Sequence, residues 1–391
     1  MSGPDADLLA RVRGRLAADG AEPTPATVAL ALRTEGALRG DSQLLSVLSG
    51  LQSELAGAGP LEPLLRDPQV TDVLVNGPDE VWVDRGGGLV RAGVRFPDEA
   101  AVRRLAQRLT AATGRRLDDA QPFADARLAG GTRLHAVLPP VCPSGTCLSL
   151  RVPRKIAFTL DELAAAGSLA PPVTALLRAL VVSRLAFLVS GGTGTGKTTL
   201  LSTLLGLADP GERIVLVEDS GELRPDRPHV VRLESRPPNL EGAGAITLRD
   251  LVRQALRMRP DRLVVGEVRG AEVVDLLAAL NTGHEGGCGT VHANSASDVP
   301  ARLEALALAA GLGREALHSQ LAAGVHALVH LTRDPTGVRR VAEVRVLGRG
   351  PDGLVTAEPA FVVTGQGSRP GSGADRLGDL LRSRGLRWPL G

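Results

Sequence analysis

The segment AFLVSGGTGTGKTTLLSTLL, residues 186–205, decides the fold class of this 391-residue chain. It begins with an apolar run typical of a buried strand and ends with leucines at helical spacing. Between the two, residues 191–199 match the pattern GxxxxGK[ST] in the strand–loop–helix order that the pattern requires. The segment therefore predicts a phosphate-binding loop (P-loop) at the carboxyl end of a strand in an α/β domain.

Each residue type in this loop has a physical reason. Glycines let backbone N–H groups converge on a phosphate, and the amino end of the following helix adds partial positive charge. We expect Lys197 to reach the terminal phosphates and Thr198 to ligate magnesium, so ATP and Mg²⁺ are the predicted cofactors. The candidate nucleotide-binding residues are Gly191, Gly192, Thr193, Gly194, Thr195, Gly196, Lys197, Thr198 and Thr199.

Lysine usage strengthens this interpretation. Of the 45 basic residues only two are lysines, Lys155 and Lys197, so 43 are arginines. A chain that uses arginine almost everywhere else keeps a compact ammonium where phosphates are expected, and a planar guanidinium would not suit that place. Lys155 lies in a basic turn, where a solvated linker is the favoured interpretation.

Hydrolysis also needs a carboxylate near the γ-phosphate. One strand pattern ends in Glu218 and Asp219, and another ends in Gly266 and Glu267. Ligands gather at the carboxyl ends of parallel strands, where these carboxylates are expected to meet. For Asp219 and the nearby Glu222, a helix cap or turn is an equally good interpretation. Because Gly266 replaces the usual aspartate, either Glu267 performs the chemistry or the protein binds nucleotide without hydrolysing it.

Composition limits the remaining classes of function. The net charge of +2 and the 2% aromatic content give no support to sequence-independent binding of nucleic acid. The three cysteines, Cys142, Cys147 and Cys288, predict neither a disulfide framework nor a zinc site, and we interpret them as reduced thiols. No signal peptide or membrane-spanning run is evident, so the sequence predicts a cytoplasmic protein.

The chain divides into five predicted segments. Fully apolar strands in the second half indicate a parallel-rich α/β core, whereas mixed strands and a helix in the first half indicate an α+β domain. The segments are an N-terminal helical segment (1–52), an α+β domain (53–153), a linker (154–172), an ATPase domain (173–364) and a flexible tail (365–391).

An ordered series of motifs resembles one family, the secretion traffic ATPases of type II and type IV systems. The resemblance is closest to the branch that serves Flp-type tight-adherence (Tad) pili, and it covers about residues 55–345. The matching runs are VTDVLVNGPDEVWVDR, ADARLAGGTRLHAVLPP, GGTGTGKTTLL, IVLVEDSGEL, HVVRLESRPPNLEG, LVRQALRMRPDRLVVGEVRGAE and NTGHEGGCGTVHANS.

The resemblance implies a fold and an activity. The fold is an α/β, RecA-like P-loop ATPase domain preceded by a smaller α+β N-terminal domain, assembled as a hexameric ring. The activity is ATP hydrolysis that powers assembly of a Flp/Tad-type pilus or protein export, with integral membrane platform proteins as partners at the inner face of the plasma membrane. No zinc is expected, because the tetracysteine module of some relatives has no counterpart.

The resemblance also implies roles for residues outside the loop. Glu218 and Glu267 resemble the acidic pair that positions water and magnesium, with Glu218 joining Thr198 at the metal. His284 and His292 resemble residues that sense the γ-phosphate, although a lone histidine is more often structural. Arg127 and Arg133 resemble arginines that reach the phosphates when the two domains close.

Two other functions remain open at this stage. One is a RecA-like nucleic-acid translocase for conjugal DNA transfer, although the charge and aromatic content of the chain argue against nucleic acid as a partner. The other is a nucleotide-binding regulator without turnover, which the missing aspartate suggests.

Overall fold

The chain forms two compact units, Met1–Lys155 and Ile156–Gly391, called here the first and second unit. The computed structural model describes residues 11–12, 14–15, 18, 25–35, 57–128, 130–152, 157–236, 238, 243–283, 285–334, 337–364 and 367–389. Of the predicted N-terminal segment, the described part includes a helix, and much of the remainder lies outside the described residues.

The first unit contains a six-stranded antiparallel sheet in the order β3-β2-β1-β6-β5-β4. Alternate residues of its strands are buried, as expected for a sheet with one covered face. The elements are α1 (Pro25–Thr34), a 3₁₀ turn (Gly59–Leu61), α2 (Glu62–Arg66), β1 (Asp72–Val75), β2 (Val81–Asp84), β3 (Leu89–Arg91), α3 (Glu99–Ala111), β4 (Phe123–Arg127), β5 (Arg133–Val137) and β6 (Cys147–Arg151).

Local signals in the sequence account for two of these elements. The Asn76-Gly77 turn joins β1 to β2, with the Asn76 N–H donating to Glu80 O at 2.9 Å. Helix α3 begins after Asp98, whose Oδ1 accepts the N–H of Ala101 at 2.6 Å. The buried face of α3 packs against β4 and β5, which closes the core of this unit.

The second unit contains a nine-stranded sheet in the order β15-β14-β13-β12-β7-β11-β10-β8-β9. Six neighbouring strands, from β12 to β9, are parallel, and β13 to β15 extend the sheet antiparallel. The elements are α4 (Leu160–Ala165), α5 (Pro171–Val182), β7 (Phe187–Gly191), α6 (Lys197–Leu205), β8 (Ile214–Glu218), β9 (Val230–Glu234), α7 (Leu248–Leu256), β10 (Arg262–Val268), α8 (Glu272–Leu280), β11 (Cys288–His292), α9 (Val299–Ala309), α10 (Arg314–Gly324), β12 (Ala327–Arg333), β13 (Arg339–Arg349), β14 (Val355–Thr364), β15 (Gly367–Pro370) and α11 (Ala374–Ser383).

The parallel strands are covered on both faces, as their apolar sequences predict. In β7, Phe187 and Val189 belong to one buried cluster with α5 and α6, whereas Leu188 belongs to a second cluster with α7 to α10. Alternating side chains of one strand thus enter two separate cores. The α/β class predicted for this part of the chain is the class observed.

Two predicted boundaries differ from the structure. The expected linker, whose sequence predicts a short helix, contains α4, which begins with a Thr159–Glu162 capping box; the difference is that Leu160 is buried in the core of the second unit, so the segment belongs to that unit. The expected flexible tail contains β15 and α11, and the prediction of a flexible tail is wrong for residues 367–383. Leu377 and Leu381, one helical turn apart, are fully buried, and this apolar pair fixes a segment whose glycine and serine content suggested flexibility.

Among the described residues, the helices are all too short or too polar to cross a lipid bilayer.

Candidate nucleotide-binding site

The P-loop follows β7 and leads directly into α6. Three of its glycines have backbone angles that favour glycine, with φ of 152° at Gly191, 72° at Gly194 and 94° at Gly196. A Cβ atom at Gly191 would lie 2.6 Å from the carbonyl oxygen of Leu331 on β12. Glycine therefore lets the backbone curve at these three positions, as a phosphate-binding loop requires.

Lys197 is the first residue of α6. Its Nζ donates to the carbonyl oxygens of Gly191 at 3.0 Å and Gly192 at 2.8 Å. Partial burial lowers the pKa of Lys197, and the carboxylates of Glu267 and Glu222 oppose this shift. The ammonium thus lies over the loop and within electrostatic reach of two carboxylates. For one of these, Glu222, the sequence left a site residue and a turn residue as equally good interpretations.

Glu218, the last residue of β8, is buried with a relative exposure of 3%. Its Oε1 accepts the N–H groups of Glu222 at 2.8 Å and Leu223 at 2.9 Å. Its Oε2 is also buried and has no hydrogen-bond partner among the described residues. Burial raises the pKa of Glu218, and the two backbone N–H groups oppose the rise. An incompletely satisfied buried carboxylate is typical of a functional site.

The geometry explains why Gly266 occupies the usual aspartate position. Strands β8 and β10 are adjacent and parallel, and a Cβ atom at Gly266 would lie 2.8 Å from Cγ of Glu218. The side chain of Glu218 therefore takes the space that an aspartate at 266 would need. The packing of Glu218 thus accounts for the absence of an aspartate at this position.

The other two carboxylates at these strand ends have different surroundings. Asp219 forms an ion pair with Arg269, and its Oδ1 accepts the hydroxyl of Ser235 at 3.0 Å. These contacts fit the alternative of a turn residue that organises the loop. Glu267 follows Gly266 on β10, is partly exposed, and influences the ammonium of Lys197. Glu267 is thus the better placed of the two for chemistry at the P-loop.

The structure describes one of the two predicted histidines. His292 ends β11 and pairs across the strands with Gly191 at the start of the P-loop. His284 lies outside the described residues. Its neighbour Glu285 forms an ion pair with Arg384 at 2.7 Å, and β11 begins at Cys288 beside Phe187, the amino end of β7. The predicted role of His284 stays a prediction.

Arg127 and Arg133 lie in the first unit. Arg127 on β4 lies opposite Arg133 on β5, and Arg133 lies opposite Arg151 on β6. The three arginines therefore form one row across the sheet. On the next strand, Asp72 of β1 lies opposite Arg151, so an acidic residue continues the row. The predicted contact of Arg127 and Arg133 with phosphates stays a prediction.

The β12–β13 hairpin supplies contacts that the sequence analysis missed. His330, with a relative exposure of 4%, shares a hydrogen bond of 2.9 Å between its Nδ1 and Oγ of Ser190. Arg339 donates from Nε to the carbonyl oxygen of Gly194 at 2.9 Å. No motif distinguishes Arg339 among 43 arginines, and only the pairing of β12 with β7 shows that this hairpin lies beside the loop.

The residues present fit a nucleoside triphosphate with its divalent cation. The loop offers glycine backbone and the amino end of α6, Lys197 offers an ammonium, and Thr198 and Glu218 offer oxygen ligands of the kind that Mg²⁺ prefers. Within the described ranges, His, Cys, Asp and Glu residues form no group of three or more that could hold a metal ion by themselves.

Comparisons with known proteins show the family. Residues 54–356 match the family model described as type II/IV secretion system protein. A Mycobacterium tuberculosis (strain H37Rv) protein named for conjugal transfer is 60% identical over 351 residues, covering 88% of this chain and 99% of the relative. Conjugal transfer protein TrbB of Rhizobium radiobacter is 31% identical over 285 residues, covering 72% and 84%.

A solved structure of the pilus retraction motor PilT with bound ADP supports the fold. It has a TM-score of 0.51 at 19% identity and covers 83% of this chain and 86% of its own. At this identity the likeness concerns the fold alone.

Proposed function

Because this chain belongs to the type II/IV secretion system protein family, we propose that it is an ATP hydrolase that powers a secretion or pilus machine. The observation that carries the proposal is the position of Lys197, over the P-loop carbonyls and within electrostatic reach of Glu267. A cation over a glycine cradle binds phosphates, and a nearby carboxylate can orient the attacking water.

Each residue then has a role in phosphoryl transfer. The N–H groups of residues 191–199 and the ammonium of Lys197 bind the phosphates. Thr198 and Oε2 of Glu218 would hold Mg²⁺, which would neutralise charge on the phosphate oxygens. Glu267 orients and deprotonates water, and His292, next to Gly191 across the sheet, contacts the γ-phosphate region.

The first unit supplies positive charge in the proposed cycle. The row that contains Arg127 and Arg133 binds the phosphates of ATP and releases them after hydrolysis. The difference between its contacts with ATP and with ADP drives closing and opening of the two units. In a hexameric ring, as the sequence resemblance implies, this cycle becomes a mechanical stroke.

We assign the stroke to assembly of a Flp/Tad-type pilus or to protein export. The support is the motif series between residues 55 and 345, which resembles the pilus branch of the family. The partners would be integral membrane platform proteins, with the ring bound to them at the inner face of the plasma membrane.

Conjugal DNA transfer is the second candidate function. It is favoured by the names of the relatives at 60% and 31% identity, both of which refer to conjugal transfer. The near-neutral charge and the low aromatic content argue against direct contact with DNA, so the motor would act on the transfer apparatus instead.

Phosphate release by the purified protein tests the activity. We expect Lys197→Ala and Glu267→Gln to lower turnover about 100-fold or more, because each removes charge or base at the transferred phosphoryl group. Glu315→Gln, an exposed carboxylate of α10, is the matched control and should keep wild-type turnover. Wild-type rates in both site variants would exclude this site.

The choice of machine needs a second measurement. We expect ATP turnover to rise when neighbouring membrane proteins are co-expressed and co-purified, and to stay unchanged with single-stranded DNA. Stimulation by single-stranded DNA without those membrane proteins would indicate a motor that acts directly on nucleic acid and would reject the pilus assignment.

A further inference from the structure

Two of the three cysteines face each other in the first unit. Sγ of Cys142 lies 3.2 Å from Sγ of Cys147, across the loop that joins β5 to β6. Both side chains are partly exposed, whereas Cys288 is buried in the second unit. The spacing C-x₄-C carries no known metal or redox signature, so the sequence alone could not pair these residues.

Helix α3 holds the loop in the shape that brings the sulfurs together. Oε1 of Glu99 accepts the N–H of Thr146 at 2.6 Å, directly before Cys147. A Cβ atom at Gly145 would lie 2.8 Å from Oε2 of Glu99, at a φ of 129°. On the other side, the N–H of Cys142 donates to Leu138 O at 3.2 Å. The close approach of the thiols is therefore built into the backbone of the hairpin.

The two thiols differ in their surroundings. Hydrogen bonds from the hydroxyl of Ser144 and the thiol of Cys147 lower the pKa of Cys142. Burial raises the pKa of Cys147 to about 11. Cys142 is thus the thiol that ionises first, and the thiolate is the form that attacks oxidants.

We propose that Cys142 and Cys147 form an oxidisable pair that a peroxide converts into an intramolecular disulfide. The Cys142 thiolate attacks one oxygen of hydrogen peroxide, the O–O bond breaks, and Cys142 becomes a sulfenic acid while hydroxide leaves and takes a proton to form water. Sulfur of Cys147 then attacks sulfur of Cys142, the S–O bond breaks, and the proton of the Cys147 thiol leaves with the oxygen as a second water. One peroxide is reduced to two waters and two thiols are oxidised to one disulfide.

The structure requires little movement for this reaction. The sulfurs must approach by about 1 Å, since an S–S bond is about 2.05 Å long. Cys142 gives up its contact with Oγ of Ser144, which lies 3.2 Å away. The bond would tie the first residue of β6 to the preceding loop, and β5 and β6 carry Arg133 and Arg151 of the arginine row. The site itself does not depend on the proposed ATPase activity.

A tryptic digest tests the pair directly. Residues 134–151 lie between two arginines and contain no internal Arg or Lys, so one peptide holds both cysteines and not Cys288. After peroxide treatment of the full chain and blocking of free thiols, we expect this peptide to be about 2 Da lighter than the reduced peptide and to carry no blocking group. Dithiothreitol should restore both reactive thiols.

Single substitutions separate the two roles. In Cys147→Ser the sulfenic acid at Cys142 has no partner, so dimedone should label it. In Cys142→Ser we expect Cys147 to react about tenfold more slowly or worse, because little of it is thiolate. Cys288→Ser is the control and should form the disulfide as the wild type does.

Two results would overturn the proposal. One is a peptide of residues 134–151 that keeps both thiols after peroxide has fully oxidised a small-molecule dithiol in the same tube. The other is a disulfide found only between two copies of the peptide, which would show a contact between chains instead of a pair within one.

Discussion

In the nine-stranded sheet, the amino ends of the parallel strands lie on one side and their carboxyl ends on the other, called here the amino edge and the carboxyl edge. Buried charges at these two edges have opposite hydrogen-bonding surroundings. At the amino edge, Arg262 has a relative exposure of 1% and pairs with Glu212, while its guanidinium also donates to Val181 O at 2.9 Å and to Gly286 O at 3.4 Å. At the carboxyl edge, Glu218 is nearly as buried, yet its Oε2 has no hydrogen-bond partner among the described residues.

This difference distinguishes a structural charge from a functional one. A buried charge with hydrogen-bond partners around it in its own chain contributes to folding. Removing either member of the ion pair leaves the other charge buried and unpaired, which lowers the free energy of unfolding. A buried charge with an unsatisfied atom costs stability, so its retention indicates a ligand. The comparison gives four predictions, which follow in order of expected free-energy effect.

Arg262→Ala should cause the largest loss of stability. Among the described residues, the largely buried carboxylate of Glu212 would keep Arg184 as its remaining ion-pair partner, at 3.2 Å, and such a change costs about 3 to 5 kcal/mol. The measurement is urea unfolding followed by fluorescence of Trp388, in a Trp82→Phe background so that one tryptophan remains. Arg349→Ala, on an exposed residue of β13, is the control. A loss below about 1 kcal/mol would contradict the structural role of this edge.

Glu218→Gln should have the opposite profile, with lost turnover and kept stability. Loss of a charged ligand at the phosphates lowers turnover about 100-fold. The pKa of Glu218 is raised in the folded state, so the folded state holds the carboxyl proton more tightly than the unfolded state does. The wild type therefore loses stability as the pH rises above the ordinary pKa range of a carboxyl group. The variant lacks this loss.

Urea unfolding at a series of pH values measures this effect. We expect the stability of Glu218→Gln relative to the wild type to increase from pH 4 to pH 8. A relative stability that decreases over this range would show that the charged form of Glu218 is favoured in the fold, contrary to the comparison.

Gly266→Ala should disturb the carboxyl edge through packing alone. The added methyl group meets Cγ of Glu218 at 2.8 Å, and overpacking of this kind costs about 1 to 3 kcal/mol. Displacement of Glu218 should also lower turnover about tenfold. Gly313→Ala is the matched control, because its added methyl group has nothing within 4 Å and its φ is −65°. Unchanged ATP turnover in Gly266→Ala would contradict a role of Glu218 in the reaction.

Arg339→Gln should have the smallest effect. Its Nε holds the carbonyl of Gly194, and because one peptide plane joins this carbonyl to the N–H of Thr195, it also sets the direction of that donor. Loss of about 1 kcal/mol raises the KM for ATP about fivefold with little change in kcat. Arg340→Gln, an exposed neighbour, should leave both constants unchanged. Equal effects of the two variants would remove Arg339 from the site.

Local chemistry made part of this molecule predictable. The P-loop, the Asn76-Gly77 hairpin and the Asp98 cap each depend on a few adjacent residues, and the structure has all three elements. The apolar strands of the second half likewise predicted a sheet covered on both faces.

Contacts between distant segments were not predictable from a single sequence. The match of Gly266 to Glu218 joins residues 48 positions apart on adjacent strands, and the hydrogen bond from Arg339 to Gly194 spans 145 positions. The tail was mispredicted because composition outweighed the two-residue apolar signal of α11.

The scarcity of lysine has a practical consequence for chemical labelling. Lys197 is the single lysine of the second unit, and partial burial lowers its pKa, so a larger fraction of its amine is unprotonated and nucleophilic near neutral pH. Amine-directed acylation of this unit is therefore expected to place one group on one residue, at the phosphate-binding loop. Protection of Lys197 from acylation would then measure occupancy of the loop by any phosphate compound, without mutation, fluorescent nucleotide or turnover.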